Sequence, residues 1–420
     1  MDKTPEELHK ERLKRCEDAI QLKVPDRVPF YPMTHYFAAK YVGLTGEEAF
    51  YDSKKWFAAN KKMNLELEPD FYFGPLHGLY PGAALETLGC KQIKWPGHGV
   101  PNDVGYGYQF VEGEYLKADE YDEFLDDPTD FLIRKYMPRI FGSLEPLQML
   151  PPMKDLFLQG YKGSLTSAVF ANPEIAKAFE SLYKAGVEAI KFVAGAAEFQ
   201  NEMKELGFPL GFGTGIYVPF DHISDMLRGM RGVMLDMYRQ PEKLLEAMDR
   251  IYYPTLFQAG VARAKNSGSS RVFIPLHRGS DGFMSLKQFE TFYWPGFKKL
   301  VLELIDEGLT PCPFFEGVYD KRLEYLAEFP KGKIVAFFDS TDIFKAKEII
   351  GDTMCIAGNM PLSLLKTGTP EQVKEYSKKL IDVVGKGGGF IMCASTVLDD
   401  AEPELVRVWA DFTKEYGVYQ

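Results

Sequence analysis

Eight short runs of β-branched and aromatic residues punctuate this chain, and the later ones alternate strictly with helical stretches. The runs are Val28 to Met33, Asp70 to Gly74, Leu210 to Val218, Arg271 to Leu276, Thr310 to Phe315, Lys333 to Phe338, Thr353 to Ala357 and Gly389 to Ala394. Most are apolar at both odd and even positions, as strands covered on both faces must be. Between them lie clear helix signals. Ser285 with Gln288 opens a helix over Phe289 to Ile305 that stops at Gly308. Asp320 opens Lys321 to Phe329, and Asp342 opens Ile343 to Ile350, with Gly351 as its stop. Thr369-Pro370-Glu371-Gln372 starts a helix through Val384, and a last helix runs from about Glu402 to Glu415. Strand and helix in strict alternation predict parallel strands joined by right-handed crossovers. Eight units predict an α/β fold, a (β/α)8 TIM barrel forming a single domain over residues 1–420, with an open doubly wound sheet as the competing arrangement. The excess length, Pro75 to Pro209, falls after the second strand. It reads as a helical insertion (75–209) at the barrel mouth, with helices over Asp119 to Ile140 and Pro173 to Glu205.

Composition excludes several classes. The 420 residues carry a net charge of −11 and no Lys/Arg-rich run, so no nucleic acid partner is expected. No apolar run approaches the roughly 20 residues that span a bilayer, so no membrane is expected either. The charged opening, Met1 to Glu7, predicts no signal peptide. Five widely spread cysteines predict reduced thiols in a cytoplasmic protein rather than a disulfide framework. Aromatic residues make up 14% of the chain, enough to line a site for a flat ligand or simply to fill a core.

In a barrel, reacting groups belong at the C-terminal ends of the strands. That rule selects His35 after the first strand and His77 after the second. It selects Tyr217 and His222 after the third, His277 and Arg278 after the fourth, and Glu316 after the fifth. Asp339, Asn359 and Cys393 to Ser395 follow from the sixth, seventh and eighth. Four of the six histidines fall on these ends. Glu316 suits an acid–base role or the support of the following helix. His277 suits an anion clamp, a metal ligand or a hydrogen-bonded structural histidine. Cys393 reads first as a small buried hydrophobe. The run Gly211-Phe212-Gly213-Thr214-Gly215 resembles a phosphate loop but leads into Ile216-Tyr217-Val218 rather than a helix, so that reading fails. No Cys-x-x-Cys, His-Glu-x-x-His or Gly-x-Ser-x-Gly occurs. A single metal held by residues from separate strands stays open, because such ligands carry no local spacing.

Several segments resemble the uroporphyrinogen decarboxylase superfamily. They include Gly308-Leu309-Thr310-Pro311, Glu316-Gly317, Leu323-Glu324-Tyr325-Leu326, Asp342 to Lys347, Ile356-Ala357-Gly358-Asn359-Met360-Pro361 and Leu365 to Glu371. Pro219-Phe220 through Gly229, Asp236-Met237-Tyr238, Arg27-Val28-Pro29 and Pro403 to Val406 match as well. The resemblance implies a (β/α)8 barrel and one of two activities: decarboxylation of uroporphyrinogen, or methyl exchange with a corrinoid protein. The decarboxylases carry an Arg-rich signature after the first strand, where this chain has Met33-Thr34-His35-Tyr36. A polyanionic porphyrinogen needs arginines there. The thiol-directed methyltransferases hold zinc with a His-x-Cys pair and a later Cys; those positions fall on Phe314, Glu316 and near Ser395, with Cys393 two residues earlier. The resemblance therefore implies a methyltransferase of the O-demethylase type. It would move a methyl group from a small, methoxylated aromatic donor to the Co(I) corrinoid of a partner protein. A decarboxylase-like lyase on a tetrapyrrole acid is the alternative. The poor leaving oxygen needs a proton or a Lewis acid. The expected suppliers are His277, Glu316 kept protonated by burial against Phe314 and Phe315, or zinc held by some of His277, Glu316 and Cys393. His35, His77, Tyr217, His222, Arg278, Asp339, Asn359 and Ser395 are the expected substrate-binding residues.

Overall fold

The computed structural model describes residues 3–103, 107–158 and 160–420. Met1 and Asp2 of the charged opening lie outside that description, as do residues 104–106 and 159 of the expected insertion. A small sheet within 75–209 is built from β1 (Ile93–Pro96), β2 (Gly99–Val100) and β3 (Gln109–Phe110). The main sheet comprises β4 (Thr214–Gly215), β5 (Arg271–Leu276), β6 (Thr310–Phe315), β7 (Val335–Phe338), β8 (Cys355–Gly358) and β9 (Phe390–Ile391). These six strands are parallel and stand side by side in chain order. Helices lie between consecutive strands, as the alternation predicts.

Backbone hydrogen bonds run on past both edges of this sheet. Met392 bridges Phe30 in parallel; Tyr31 N–H donates to Met392 O at 3.0 Å and Met392 N–H to Pro29 O at 2.8 Å. Asp70 N–H donates to Phe30 O at 2.8 Å, and Tyr72 N–H donates to Pro209 O at 3.1 Å. Gly211 N–H returns to Tyr72 O at 2.9 Å, and Gly213 N–H reaches Arg271 O at 2.8 Å. All eight runs read from the sequence are therefore linked.

Side-chain parity divides these segments between two cores. Tyr31 and Met33, Phe71 and Phe73, Phe212, Phe273, Cys312 and Phe314, Val335 and Phe337, Cys355 and Ala357, and Ile391 and Cys393 meet in one cluster. They are alternate positions of all eight segments, as one face of a pleated sheet requires. The other parity, including Phe30, Val272, Ile274, Phe315, Ala336, Ile356 and Met392, packs with the helices in the larger core. Cys16, Ala19 and Ile20 of the helix Pro5–Ile20 join the first cluster.

Several helices match expectation. Ser285 and Thr369 form capping boxes with Gln288 and Gln372, and the Asp342 side chain accepts from the Phe344 and Lys345 N–H groups. Pro173–Glu205 is one helix of 33 residues, capped by Asn172. Two expectations are corrected. The stretch Asp119 to Ile140 is broken at Asp127, whose side chain caps a new turn beginning at Pro128; proline has no N–H to continue the preceding helix. Lys321 to Phe329 shrinks to Leu323–Leu326. Asp320 accepts from Asp342 N–H at 3.0 Å instead of capping, and the buried Arg322 is drawn aside to Asp281 and Met284 O. No helix among the described residues is long and apolar enough to cross a membrane.

One buried carboxylate ties the first two segments together. Asp70 is 0% exposed and accepts from Phe30 N–H (2.8 Å), Arg15 (2.5 Å) and both Arg27 Nη atoms (2.8 and 2.9 Å). Removing one partner of a buried charge cluster strands the other. Asp70→Ala is expected to lower unfolding stability by about 3–5 kcal/mol, read as a lower urea midpoint at unchanged slope. Asp70→Asn, which keeps an acceptor for Phe30 N–H, should lose less. A midpoint unchanged in Asp70→Ala would remove the clamp from the account.

Candidate active site

β5 ends at Leu276, and the next two residues turn out over the ends of the strands. Their backbone is held from below: His277 N–H and Arg278 N–H donate to the two carboxylate oxygens of Asp221 at 3.2 and 3.0 Å. Tyr293 OH donates to the same carboxylate at 2.5 Å. Asp221 lies in the short helix Pro219–His222, which continues through a π-helical turn over Ile223–Arg228. π turns of this kind recur at functional sites. Asp225 sits four residues after Asp221, so both carboxylates fall on one face of the helix. Burial pushes the Asp221 carboxyl up to about 7, against the opposing pull of the His277 cation.

Asp225 organises the side chains. One oxygen takes His277 Nδ1 at 2.5 Å and the other takes Arg278 Nη2 at 2.9 Å. The second ring nitrogen, Nε2, stands 3.3 Å from Glu316 Oε1. Burial alone would lower the His277 pKa. The hydrogen bonds and charges of Asp225 and Glu316 outweigh it and hold the imidazole well above its ordinary value. The ring is therefore an imidazolium at neutral pH, anchored through Nδ1, with its Nε2–H toward Glu316. Glu316 does not sit in an apolar pocket as expected from its neighbours. Its side chain is 42% exposed, while Phe314 and Phe315 turn into the two cores. Strand alternation separates them: the end residue of β6 faces the packing, and the next one leaves the sheet.

These groups open into a cavity of about 500 Å³, whose wall also holds Tyr80, Tyr108, Phe110 and Tyr217. Tyr217 lies 5.9 Å from the His277 ring, centre to centre. Among the described lining residues the cationic side chains are Arg278 and the His277 imidazolium. Arg278 is already paired with Asp225, with Glu112 at 3.5 Å.

The remaining expected residues divide. His222 lies 6.0 Å from Tyr217, has a buried Nδ1 without a partner, and is pushed down to about 4 by burial. Asp339 accepts from Gly317 N–H at 2.9 Å and so steadies the turn that carries Glu316; burial raises its pKa. Asn359 has its amide engaged by the backbone carbonyls of Asp339 and Thr341 and by Tyr376 OH. Ser395 Oγ accepts from Leu362 N–H at 3.4 Å. The geometry gives these last two structural bonds rather than a place at the cavity. His35 pairs with Asp399, and His77 packs on Phe73. Cys393 is the clearest correction. It is fully buried in the inner cluster beside the other apolar residues of its parity, not next to His277 and Glu316. Burial raises its thiol pKa, which disfavours the thiolate a metal needs. No group of three or more His, Cys, Asp or Glu among the described residues is arranged to hold a metal. The residues present do not fit a zinc ion.

Sequence reasoning missed Asp225, Asp399 and Tyr108, and gave Asp221 no role. The available signal was the spacing Asp221-His222-x-x-Asp225, which sets two carboxylates one helical turn apart directly behind a strand end.

Comparison with known proteins places this architecture. The family model described as Uroporphyrinogen decarboxylase (URO-D) matches residues 163–416. A uroporphyrinogen decarboxylase of Chlorobium phaeovibrioides is 33% identical over 78 residues, 18% of this chain and 22% of the relative. One from Syntrophotalea carbinolica is 22% identical over 176 residues, 42% of this chain and 49% of the relative. The chain thus spans from about a fifth to about half of the length of the curated relatives it matches. Among solved structures, a methyltransferase from Methanosarcina mazei superposes with a TM-score of 0.61 at 15% identity, covering 99% of both chains. At that identity the likeness is one of fold. The chain has the URO-D fold, of TIM-barrel type, and belongs to the uroporphyrinogen decarboxylase (URO-D) family.

Proposed function

We propose that this protein is a methyltransferase that takes the methyl group of a small methoxylated aromatic compound and passes it to the Co(I) corrinoid of a partner protein. In this reading the linked segments close as an eight-stranded barrel with the cavity at its mouth. The hydrogen bonds beyond both sheet edges and the single inner cluster support that closure. The observation that carries the chemistry is the anchored imidazolium of His277 beside an aromatic-walled cavity.

Demethylating an aryl ether requires stabilisation of the departing oxygen. The acceptor is a co-substrate whose Co(I) supplies the electron pair for the new bond to the methyl carbon. The pair of the breaking C–O bond stays on oxygen, which takes the proton from His277 Nε2 and leaves as the free phenol. Asp225 holds the ring through Nδ1 and stabilises its charged form, so the acid is poised before the donor arrives. Glu316 Oε1 faces Nε2 at 3.3 Å, and its exposed carboxylate is free to turn aside as the ether oxygen takes its place. Tyr80, Tyr108 and Tyr217 provide faces against which an aromatic ring packs. The mouth does not suit a porphyrinogen with many carboxylates, because both lining cations already face carboxylates, Arg278 those of Asp225 and Glu112 and His277 those of Asp225 and Glu316. A cytoplasmic setting goes with this reading, and all five cysteines are free.

The reading is tested by mixing the protein with methoxylated benzenes and reduced cobalamin as the probe acceptor. Methylcobalamin absorbance should appear together with the demethylated phenol. Decarboxylation of uroporphyrinogen, with no methylation across the donor panel, would overturn it. His277→Ala should lower kcat/KM by about 10²–10⁴, the usual worth of a general acid. Glu316→Gln should lose less, because it gives up no proton to the leaving group.

The pH profile separates the acid from its support. Activity needs the protonated imidazole, so it should hold at low pH and fall as pH rises through the raised His277 pKa, above the ordinary ~6.5. Asp225→Asn removes a charge that raises this pKa, so the alkaline limb should move to lower pH. An Asp225→Asn profile that loses height without moving would leave Asp225 a purely structural residue.

A further inference from the structure

The segment after the second strand carries the most exposed apolar surface of the molecule. Ten large hydrophobic side chains among the described residues are more than half exposed, and seven of them lie between 157 and 193. Concentration on one lobe marks an interaction surface, whereas singly scattered residues do not. The lobe is centred on the helix Pro173–Glu205, whose 33 residues span about 50 Å. One face of that helix is spent inside the chain, where Ile175, Ala185, Phe192 and Phe199 are buried. Another stripe points outward. Phe179, Tyr183, Ile190 and Val193 are 40, 73, 72 and 57% exposed. With Gly186 they recur at alternating intervals of four and three residues, the spacing of a seam that packs on a second helix.

Gly186 sits at the middle of this stripe. Glycine inside a helix is destabilising relative to alanine and is kept where another backbone or side chain comes close. Gly195 has such a reason within the chain, because a Cβ there would stand 2.7 Å from the Phe57 ring. At Gly186 a Cβ would meet nothing within 4 Å. Nothing among the described residues calls for glycine at 186; a second helix crossing there would.

The charges beside the stripe identify that helix. Glu180 and Lys184 stand six and two residues before Gly186, and Glu188 and Lys191 two and five residues after it. By helical periodicity all four lie on one flank of the stripe. An antiparallel copy, related by a two-fold axis at Gly186, sets Glu180 against Lys191 and Lys184 against Glu188 on both sides of the axis. The same axis sets Phe179 against Val193. The present partners of these charges are exposed pairs along the helix, Lys184 with Glu180 at 2.8 Å and Lys191 with Glu188 at 2.7 Å, which hold little energy.

We propose that the stripe from Phe179 to Val193 is a homodimer seam, covered by the same stripe of a second copy that runs antiparallel and crosses at Gly186. Such an interface is isologous and closes on itself. It also backs the cavity: Ile175, Leu182 and Phe141 share a satellite core, and Phe141 lines the cavity, so pairing braces that wall. The seam stands independently of the methyl-transfer reading.

Light scattering of the wild type at micromolar concentration should give twice the chain mass. Ile190→Glu, at an exposed position, should raise the dissociation constant about 30-fold or more, as loss of an interface hot spot does, with the circular dichroism spectrum unchanged. Charge variants then fix the register. Glu180→Lys with Glu188→Lys, and Lys184→Glu with Lys191→Glu, should each weaken self-association, and an equimolar mixture of the two should restore the dimer as a hybrid. Under mild oxidation Gly186→Cys should be joined by a disulfide between copies. Ile190→Cys should not, because its two copies stand about 12 Å apart along the helices, beyond the reach of a disulfide. A monomeric wild type overturns the proposal, and binding of that monomer to phosphatidylcholine vesicles would assign the stripe to a lipid surface instead. A dimer untouched by Ile190→Glu, or a hybrid that does not form, overturns it as well.

Discussion

The candidate site of this molecule depends on one buried carboxylate, Asp221. It accepts the N–H groups of His277 and Arg278 and the hydroxyl of Tyr293, and so sets the direction in which the chain leaves β5. A loop held only by side chains would let His277 wander by more than the proposed proton transfer would tolerate. Bonding the backbone instead fixes the Cα, and the next helical turn then supplies Asp225 to orient the ring. The division of labour is physical. The deeply buried Asp221, its pKa raised by burial, bonds the backbone, whereas Asp225 bonds the side chains of His277 and Arg278.

How much of this was legible follows from the kind of signal each part leaves. The strands were readable because a parallel sheet covered on both faces must be apolar at both parities, and all eight runs take part in the hydrogen-bonded set. Capped helices were readable because Ser285, Thr369 and Asp342 carry their chemistry locally. The helix expected from Asp320 failed because its cap is engaged by Asp342 N–H and Arg322 is pulled to Asp281, partners distant in sequence. No window of neighbours contains that information. Asp127-Pro128 was a local signal and could have split the preceding helix.

The site was half legible for the same reason. His277, Arg278 and Glu316 follow strand ends, and the strand-end rule reaches them. Asp225 lies beyond the end of its segment, on a π turn, where its spacing from Asp221 is the signal that marks it and the strand-end rule does not reach. Asp399 sits four residues past Ser395, beyond the end of the eighth run. The register with the thiol-directed methyltransferases falls near Ser395, with Cys393 the thiol two residues earlier, but a step of two along a strand keeps a residue on the same face. Cys393 therefore shares the inner cluster with Ile391, two residues before it.

That parity argument also bears on what the mouth can bind. Below it, the inner layer is filled by Tyr31, Phe73, Phe212, Phe314 and Phe337, with thiols whose charged forms burial disfavours. Ionic and metal chemistry is thereby confined to the residues beyond the strand ends. There the cations are few and each is answered: Arg278 by Asp225 and Glu112, His277 by Asp225 and Glu316. A fold shared with enzymes named for a polyacid substrate thus presents a rim whose positive charge is already balanced. Such a rim has little left to offer an anion. In the proposed reaction it would give a proton to an oxygen that becomes negative only as its bond breaks, a charge that the resting substrate does not carry.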